Sequence, residues 1–359
     1  MEKYEYNDLE SRLSTVKGFS DLTPQEELDA LVTRMRPHLR NVIGVTIGKG
    51  GVGKTTLAAN LAYTLAEEQD RRSSAGKSPR PILYIELDSN GNSRNDFGIR
   101  GGEFDDNGIS FYDAVTDDRP LSIVKNVRPF LDVVPSGASN ADISGRVDKV
   151  SAEHGPAAFL LLALLLVQIS HLYQWIIIDF SPSDKNNQRL GLAASTHLVA
   201  PVKGSDDGVL EGLGSLARLV RGVRVINPEV SIAAIGFLGF KKVKGEPTSE
   251  LVNLREKIEL LVANARLDPE VVISAYVREA PVLAALCRNT GMPAKELALA
   301  ASGKLADPNT GVLVPRPRDE NDRLVEPQRA TDLADDYTHF AAAVLHQIRR
   351  RNKQLRGEA

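Results

Sequence analysis

A chain of 359 residues has room for one large or two average domains, and 42% hydrophobic with 25% charged residues is the balance of a globular protein, not of a chain disordered throughout. Its 44 Lys and Arg against 47 Asp and Glu leave a net charge of −3, which excludes a polycation that coats nucleic acid over its whole surface, so a nucleic-acid site has to be a patch. A single cysteine, Cys287, excludes an intrachain disulfide and a zinc or iron–sulfur centre held by thiols of this chain alone, and it fits a reducing compartment.

Residues 1–40 read as an N-terminal appendage. The charged start MEKYEYNDLE lacks the basic, then apolar pattern of a secretory signal, so a cytoplasmic location is expected. Thr23, Pro24 and Glu26 make a helix start, with proline at the first helical position and glutamate three residues after the cap. Leu28, Leu31, Val32 and Met35 then recur at helical spacing. This predicts one short amphipathic helix packed on the main body, with a partner-binding peptide as the alternative.

From Asn41 onward, short β-branched apolar runs alternate with helical stretches. Strands are predicted at 42–47, 82–87, 131–134, 175–179, 197–201, 232–237 and 271–275, and helices over 55–67 and 209–223 among others. Strands apolar on both faces belong to a parallel sheet covered by helices, and the alternation predicts a doubly wound α/β fold. The polar stretch 70–81, DRRSSAGKSPRP, reads as an exposed loop. The stretch 159–169, FLLLALLLVQI, reads as a helix buried all round; cover by a dimer partner or by the N-terminal appendage is the alternative. The longest apolar run, 157–167, is about half of the ~20 residues that cross a bilayer. Residues 302–335, with ADPNTG, PRPRDENDR and EPQRATD, read as an irregular insertion before a C-terminal helix over 337–353.

The first strand runs directly into GKGGVGKTTLAANLA. Gly48, Gly50, Gly51 and Gly53 permit the tight curl that turns successive N–H groups inward, an anion nest at the start of the next helix. Lys54 follows the last glycine, where its ammonium reaches the β and γ phosphates, and Thr55 supplies a hydroxyl for Mg²⁺. Gly48, Gly53, Lys54 and Thr55 complete the pattern G-x-x-x-x-G-K-[ST], with Gly50, Gly51, Val52 and Thr56 as further nucleotide-binding positions. The expected fold is therefore a doubly wound, mostly parallel sheet of the P-loop NTPase type with helices on both faces, built from residues 41–359.

With Lys49 inside KGGVGKTT, the sequence resembles the ParA/MinD family of deviant Walker A P-loop ATPases. The resemblance implies that Lys49 is the signature lysine that reaches across an ATP-sandwiched homodimer to the partner's phosphates. Residues 82–92, ILYIELDSNGN, resemble the family's strand ending in D-x-D-P-Q-G-N. Asp88 takes the place of the carboxylate that positions the attacking water, Glu86 replaces the first Asp, and Ser89 and Asn90 stand for Pro-Gln. Residues 175–183, WIIIDFSPS, resemble the Walker B strand, in which Asp179 holds Mg²⁺ through its water shell. Phe180 and Ser181 there replace a small residue and Pro. Residues 198–213, LVAPVKGSDDGVLEGL, resemble the family's strand, proline and L-E-G-L helix start. The matched motifs run from Val42 to about Pro293. The resemblance thus implies Lys49, Lys54 and Asp88 as catalytic residues and Thr55 and Asp179 as metal-holding ones, with ATP and Mg²⁺ as cofactors.

Three cargo surfaces distinguish relatives of this family. Iron–sulfur carriers need more cysteines than Cys287 supplies. MinD-like relatives bind membrane through a C-terminal amphipathic helix; here Phe340, Val344, Leu345 and Ile348 have core-like spacing and the tail RRRNKQLRGEA offers only Leu355 to insert, which argues against a membrane. On the helix 209–223, Val209, Leu213, Leu216 and Val220 form a buried stripe. Arg218, Arg221 and Arg224 form a second one, each step falling about 60° short of a full turn. Arg221 takes the place of a non-specific DNA-binding arginine in the ParA branch. Lys241, Lys242, Lys244 and residues 349–351 would extend a phosphate-tracking surface; an ordinary solvated face is the alternative. The resemblance implies a nucleoid-associated homodimer with ATP that binds DNA non-specifically and partitions a plasmid or chromosome with a ParB-like centromere-binding protein. A MinD-like positioning ATPase and a ParA-like ATPase that positions a protein cargo are the rivals.

Overall fold

Proline opens α1 (Pro24–Met35), and Leu28, Val32 and Met35, three and four apart, are buried with Leu39 of the 3-10 turn that follows. The computed structural model describes residues 24–117, 119–180, 184–204, 206–243, 246–307 and 310–358; Thr23, Ser181 and Lys244 lie outside the described residues. Next come β1 (Val42–Val45), α2 (Lys54–Ser74), β2 (Ile82–Glu86), α3 (Asn92–Asp96) and α4 (Ile109–Thr116). A hairpin of β3 (Val124–Arg128) and β4 (Leu131–Val134) precedes α5 (Ile143–His154) and α6 (Leu161–Ile169). The chain continues through β5 (Trp175–Asp179), α7 (Lys185–Ala194), β6 (His197–Val202), α8 (Asp206–Val223) and β7 (Ser231–Phe240). A small ribbon of β8 (Lys242–Val243) and β9 (Glu246–Pro247) leads to α9 (Ser249–Asn264), β10 (Val272–Arg278), α10 (Pro281–Thr290), α11 (Ala294–Ala301) and α12 (Pro327–Leu355).

Eight strands form one sheet in the order β10-β7-β6-β1-β5-β2-β4-β3. All pair in parallel except β3, which runs antiparallel at the edge. β1, β2, β4, β5 and β6 are buried at every position, as strands covered on both faces must be. Both neighbours of β1 come from later in the chain, with Val42 in register with Ile176 and Ile43 with His197. Connections therefore diverge on either side of β1 and leave a crevice at its carboxyl end, the topological switch point of an open sheet. One face of the sheet packs against the apolar sides of α1, α6, α7, α8 and α9, and the other against α2, α10, α11 and α12.

One strand was not expected, and three expectations need correcting. β3 has no apolar pattern to announce it: VKNVR is buried at Val124 alone, and Asn126 adopts a positive φ at a register shift, as an edge strand tolerates. The stretch 70–81 is helical as far as Ser74, where the Ala75 N–H bonds back to Arg71 and Gly76 turns left-handed. The irregular insertion ends before Pro327 and is pinned by the bridges Ala306–Leu313 and Arg318–Leu324; α12 starts about ten residues earlier than expected because Asp332 and Asp336 pair with Arg278 at the end of β10. The stretch 159–169 is not buried all round: Phe159, Leu161, Leu164 and Val167 are only partly covered, and α1 packs against α6, the cover that the N-terminal segment was expected to offer as the alternative.

Residues 24–40 belong to the packed body. The Thr196 hydroxyl donates to the Leu39 carbonyl at 2.8 Å, and Arg40 pairs with Glu229 at 2.5 Å. The helical run 138–172 is long and apolar enough to suit a membrane span by length and composition, yet half of its most apolar window is buried inside the fold. Phe340, Val344, Leu345 and Ile348 of α12 are buried in the core, as their spacing predicts.

Candidate functional site

The turn from β1 into α2 is the P-loop, and its shape follows from glycine. Gly51 and Gly53 have φ of +72° and +89°, left-handed values that side chains resist. Gly53 caps α2 through its carbonyl, which accepts the Leu57 N–H at 2.9 Å. Val52 between them is buried and anchors the loop. At Gly48 any Cβ would lie 2.7 Å from Ser215 on α8, so the glycine is what lets that helix pack against the loop. The N–H groups at the start of α2 are left to a cleft of about 400 Å³. Gly51, Val52, Gly53, Lys54, Thr55 and Thr56 line it, whereas Gly50 is exposed and stands outside the lining.

Lys54 is 6% exposed and donates to the Lys49 carbonyl at 2.9 Å. Burial lowers its pKa while the carboxylates of Asp179 and Asp88 pull it back up. Asp179 ends β5 fully buried. Burial pushes its carboxyl up to about 7, against a hydrogen bond from Thr55 and the charge of Lys54. Its Oδ1 has no partner, and Tyr84 reaches Oδ2 only at 3.5 Å. A buried carboxylate oxygen left without a donor, on a group that takes a hydrogen bond from Thr55 and feels the Lys54 charge, fits a divalent cation.

Asp88 lies just past β2, where the backbone N–H of Asn90 and its side-chain amide donate to Oδ1 at 3.1 and 2.9 Å. Asn90, one of the departures from the family pattern, thus orients the carboxylate. Glu86, a further departure, is fully buried and accepts from the N–H groups of Asn92 and Ser93 at 2.9 and 3.0 Å, capping α3 and holding the loop between. Burial, with Asp179 next to it, raises its pKa well above the ordinary range. Phe180 replaces a small residue because two glycines make room: a Cβ on Gly191 would lie 2.6 Å from its ring, and one on Gly44 3.0 Å.

Lys49 does not point into the cleft. Its ammonium lies over the first turn of α8, 2.4 Å from where Gly208 would carry a Cβ. Arg218, Arg221 and Arg224 are all exposed. Arg218 donates to Ser215 at 2.9 Å and faces a second cleft of about 690 Å³ with Lys185 and Arg189, while Arg224 sits near Arg351. The expected extension of the basic surface is largely taken up in pairs. Arg349 meets Glu68 at 3.7 Å, Arg350 pairs with Asp268 and Glu270, Arg351 donates to the Glu229 carbonyl, and Lys241 meets Glu279 at 3.5 Å. Cys287 is buried and its thiol is pushed up to about 12, and no cluster of three or more metal-ligating side chains occurs among the described residues.

No sequence motif announces the far wall of the cleft, built by Asp96, Lys203, Gly239, Arg288 and Tyr337. They come from five separate elements and loops, so no local spacing marks them.

Residues 40–232 match the domain family described as AAA domain. The chain is 29% identical over 197 residues to the chromosome partitioning protein ParA of Caulobacter vibrioides, covering 54% of this chain and 67% of that one. It is 31% identical over 199 residues to the sporulation initiation inhibitor protein Soj of Bacillus subtilis, covering 54% and 70%. Among solved structures, the ATP complex of a McdA variant from Cyanothece superposes with a TM-score of 0.58 at 16% identity over 72% of this chain and 90% of that one, a likeness of fold. A P-loop closed by Lys54 and Thr55, the buried Asp179 beneath it, and these relatives place the chain in the ParA/MinD family of P-loop ATPases.

Proposed function

We propose that this chain is a Mg²⁺-dependent ATPase that dimerises around two ATP molecules, binds DNA non-specifically in that state, and partitions a plasmid or chromosome on the nucleoid with a ParB-like centromere-binding partner. The observation that carries the reading is the convergence of Lys54, Thr55, Asp179 and Asp88 on one glycine-built phosphate nest. The N–H groups of 51–56 and the Lys54 ammonium bind the β and γ phosphates, which exchanges Lys54's bond to the Lys49 carbonyl for contacts with the nucleotide. Thr55 and Asp179 would hold Mg²⁺, which neutralises charge on the β and γ oxygens. Asp88, fixed by Asn90, orients the attacking water. Lys49 must leave Gly208 to act on the partner subunit, so dimerisation includes a swing of that side chain.

Arg218 and Arg221 on the exposed side of α8, with Arg224 just past its end, contact DNA phosphates, and doubling them in the dimer makes binding depend on ATP. The test is DNA retention with ADP, ATP and a slowly hydrolysed analogue, followed by a salt titration of wild type and Arg221→Ala on the same duplex. ATP-specific, sequence-independent retention is expected, with the slope of log affinity against log salt reduced by about 0.9 per lost contact. Superimposable titrations would assign the stripe to ordinary solvation. ATP-dependent binding to liposomes in place of DNA would favour the membrane reading, and a gene neighbourhood without a centromere-binding protein the protein-cargo one.

A further inference from the structure

Asn92 and Asp96 lie four residues apart on α3, on the face that lines the nucleotide cleft. Asp96 is 6% exposed, and neither of its carboxylate oxygens has a hydrogen-bond partner. Arg288 on α10, which packs against α3, favours its ionised form electrostatically without bonding to it, and Tyr337 of α12 lines the same wall. Burial dominates, and the carboxyl is pushed up to about 6. A buried acceptor with nothing to accept from is costly, and it persists where its donor arrives with a ligand. The phosphates of a nucleotide bring acceptors only. The donors it carries are on the nucleoside, at the ribose hydroxyls and the exocyclic amine.

We propose that Asp96 accepts a hydrogen bond from the nucleoside part of the bound nucleotide, and so selects which nucleotide the cleft takes. The assignment rests on the ATP-binding reading and names the residue that completes the site beyond the P-loop. The test is calorimetric titration of the full chain at pH 8, where the carboxyl is ionised, with ATP, 2′-deoxy-ATP, 3′-deoxy-ATP and inosine triphosphate, each with and without Mg²⁺. Wild type is expected to bind at least one analogue about 10- to 100-fold more weakly than ATP, the range for a hydrogen bond to a charged group, and the analogue affected identifies the donor. Asp96→Ala should bind that analogue and ATP within about twofold of each other, in Mg²⁺ and without it. A second readout separates this role from a structural one: without nucleotide, Asp96→Ala and Asp96→Asn should melt no lower than wild type, because the change removes an unpartnered buried charge. The assignment is overturned if wild type binds all four triphosphates alike, if Asp96→Ala keeps the discrimination, or if it loses affinity equally for every nucleotide. A wild-type chain that binds no triphosphate at all overturns the ATP reading along with it.

Discussion

Asp179→Asn is expected to make the nucleotide-free protein more stable while disabling it. The carboxyl goes from an ordinary 3.8 to about 7 on folding, chiefly because β5 buries it completely. At about 1.4 kcal/mol per tenfold, that displacement corresponds to about 4 kcal/mol. The folded pKa lies above the unfolded one, so the unfolded chain releases its proton first and this group costs stability as pH rises. The cost is absent below about pH 4, grows between about 4 and 7, and is complete above 7. Asparagine keeps an oxygen for the Thr55 hydroxyl without the charge. With an unfolding entropy of about 2 cal/mol/K per residue, 4 kcal/mol corresponds to about 5 °C in a chain of this length. Differential scanning calorimetry at pH 8 without nucleotide should therefore find the variant melting about 5 °C above wild type, with the gap closing toward pH 4. In saturating Mg²⁺ and ATP the order should reverse, because only wild type gains the free energy of metal-assisted binding. A variant that melts below wild type at pH 8 without nucleotide, or a gap indifferent to pH, would refute the argument that Asp179 is an unsatisfied charge held for a cation.

Lys49→Ala should bind ATP with near-normal affinity yet fail to dimerise, since the ammonium lies over Gly208 and outside the cleft; light scattering that finds a normal ATP-dependent dimer would remove its cross-subunit role. Asp88→Ala should keep ATP and accumulate the ATP-bound dimer, because Lys54, Thr55 and Asp179 remain; single-turnover hydrolysis at the wild-type rate would show that the carboxylate does not orient water. Gly191→Ala should lower the denaturant midpoint, losing up to about 2 kcal/mol of stability, because the new methyl would meet the Phe180 ring at 2.6 Å and Leu87 at 2.8 Å and an overpacking cost of about 3 kcal/mol exceeds the roughly 1 kcal/mol alanine gains in a helix. An unchanged midpoint would mean that the ring has a second place to go.

The phosphate site was legible in the sequence because it is local. A glycine-rich turn, its lysine and its threonine are adjacent in the chain, and the anion nest they form needs only their own backbone torsions and the helix that follows. The parallel strands were legible for a similar reason, since burial on both faces writes an unbroken apolar run. β3 was not, because an antiparallel edge strand is half polar and takes its conformation from hydrogen bonds to β4. The early start of α12 was hidden in polar residues whose helix depends on Arg278, some fifty residues upstream, for its charge partners.

The sequence by itself marked the glycine-rich turn with its lysine and threonine and the carboxylates Asp88 and Asp179, and the sheet gathers them at the carboxyl ends of β1, β2 and β5. The tertiary structure decided everything that depends on distance between elements. It tied α3 to the buried Glu86 and made Phe180 compatible with Gly44 and Gly191. It laid Lys49 along α8, set Arg218 against the second cleft, and left Asp96 on the wall of the first without a donor. Helix and strand periods specify which face of an element is buried, but which side chain from a distant element fills the space beside it is set only when both are packed, and the electrostatics of a buried carboxylate are set by that packing.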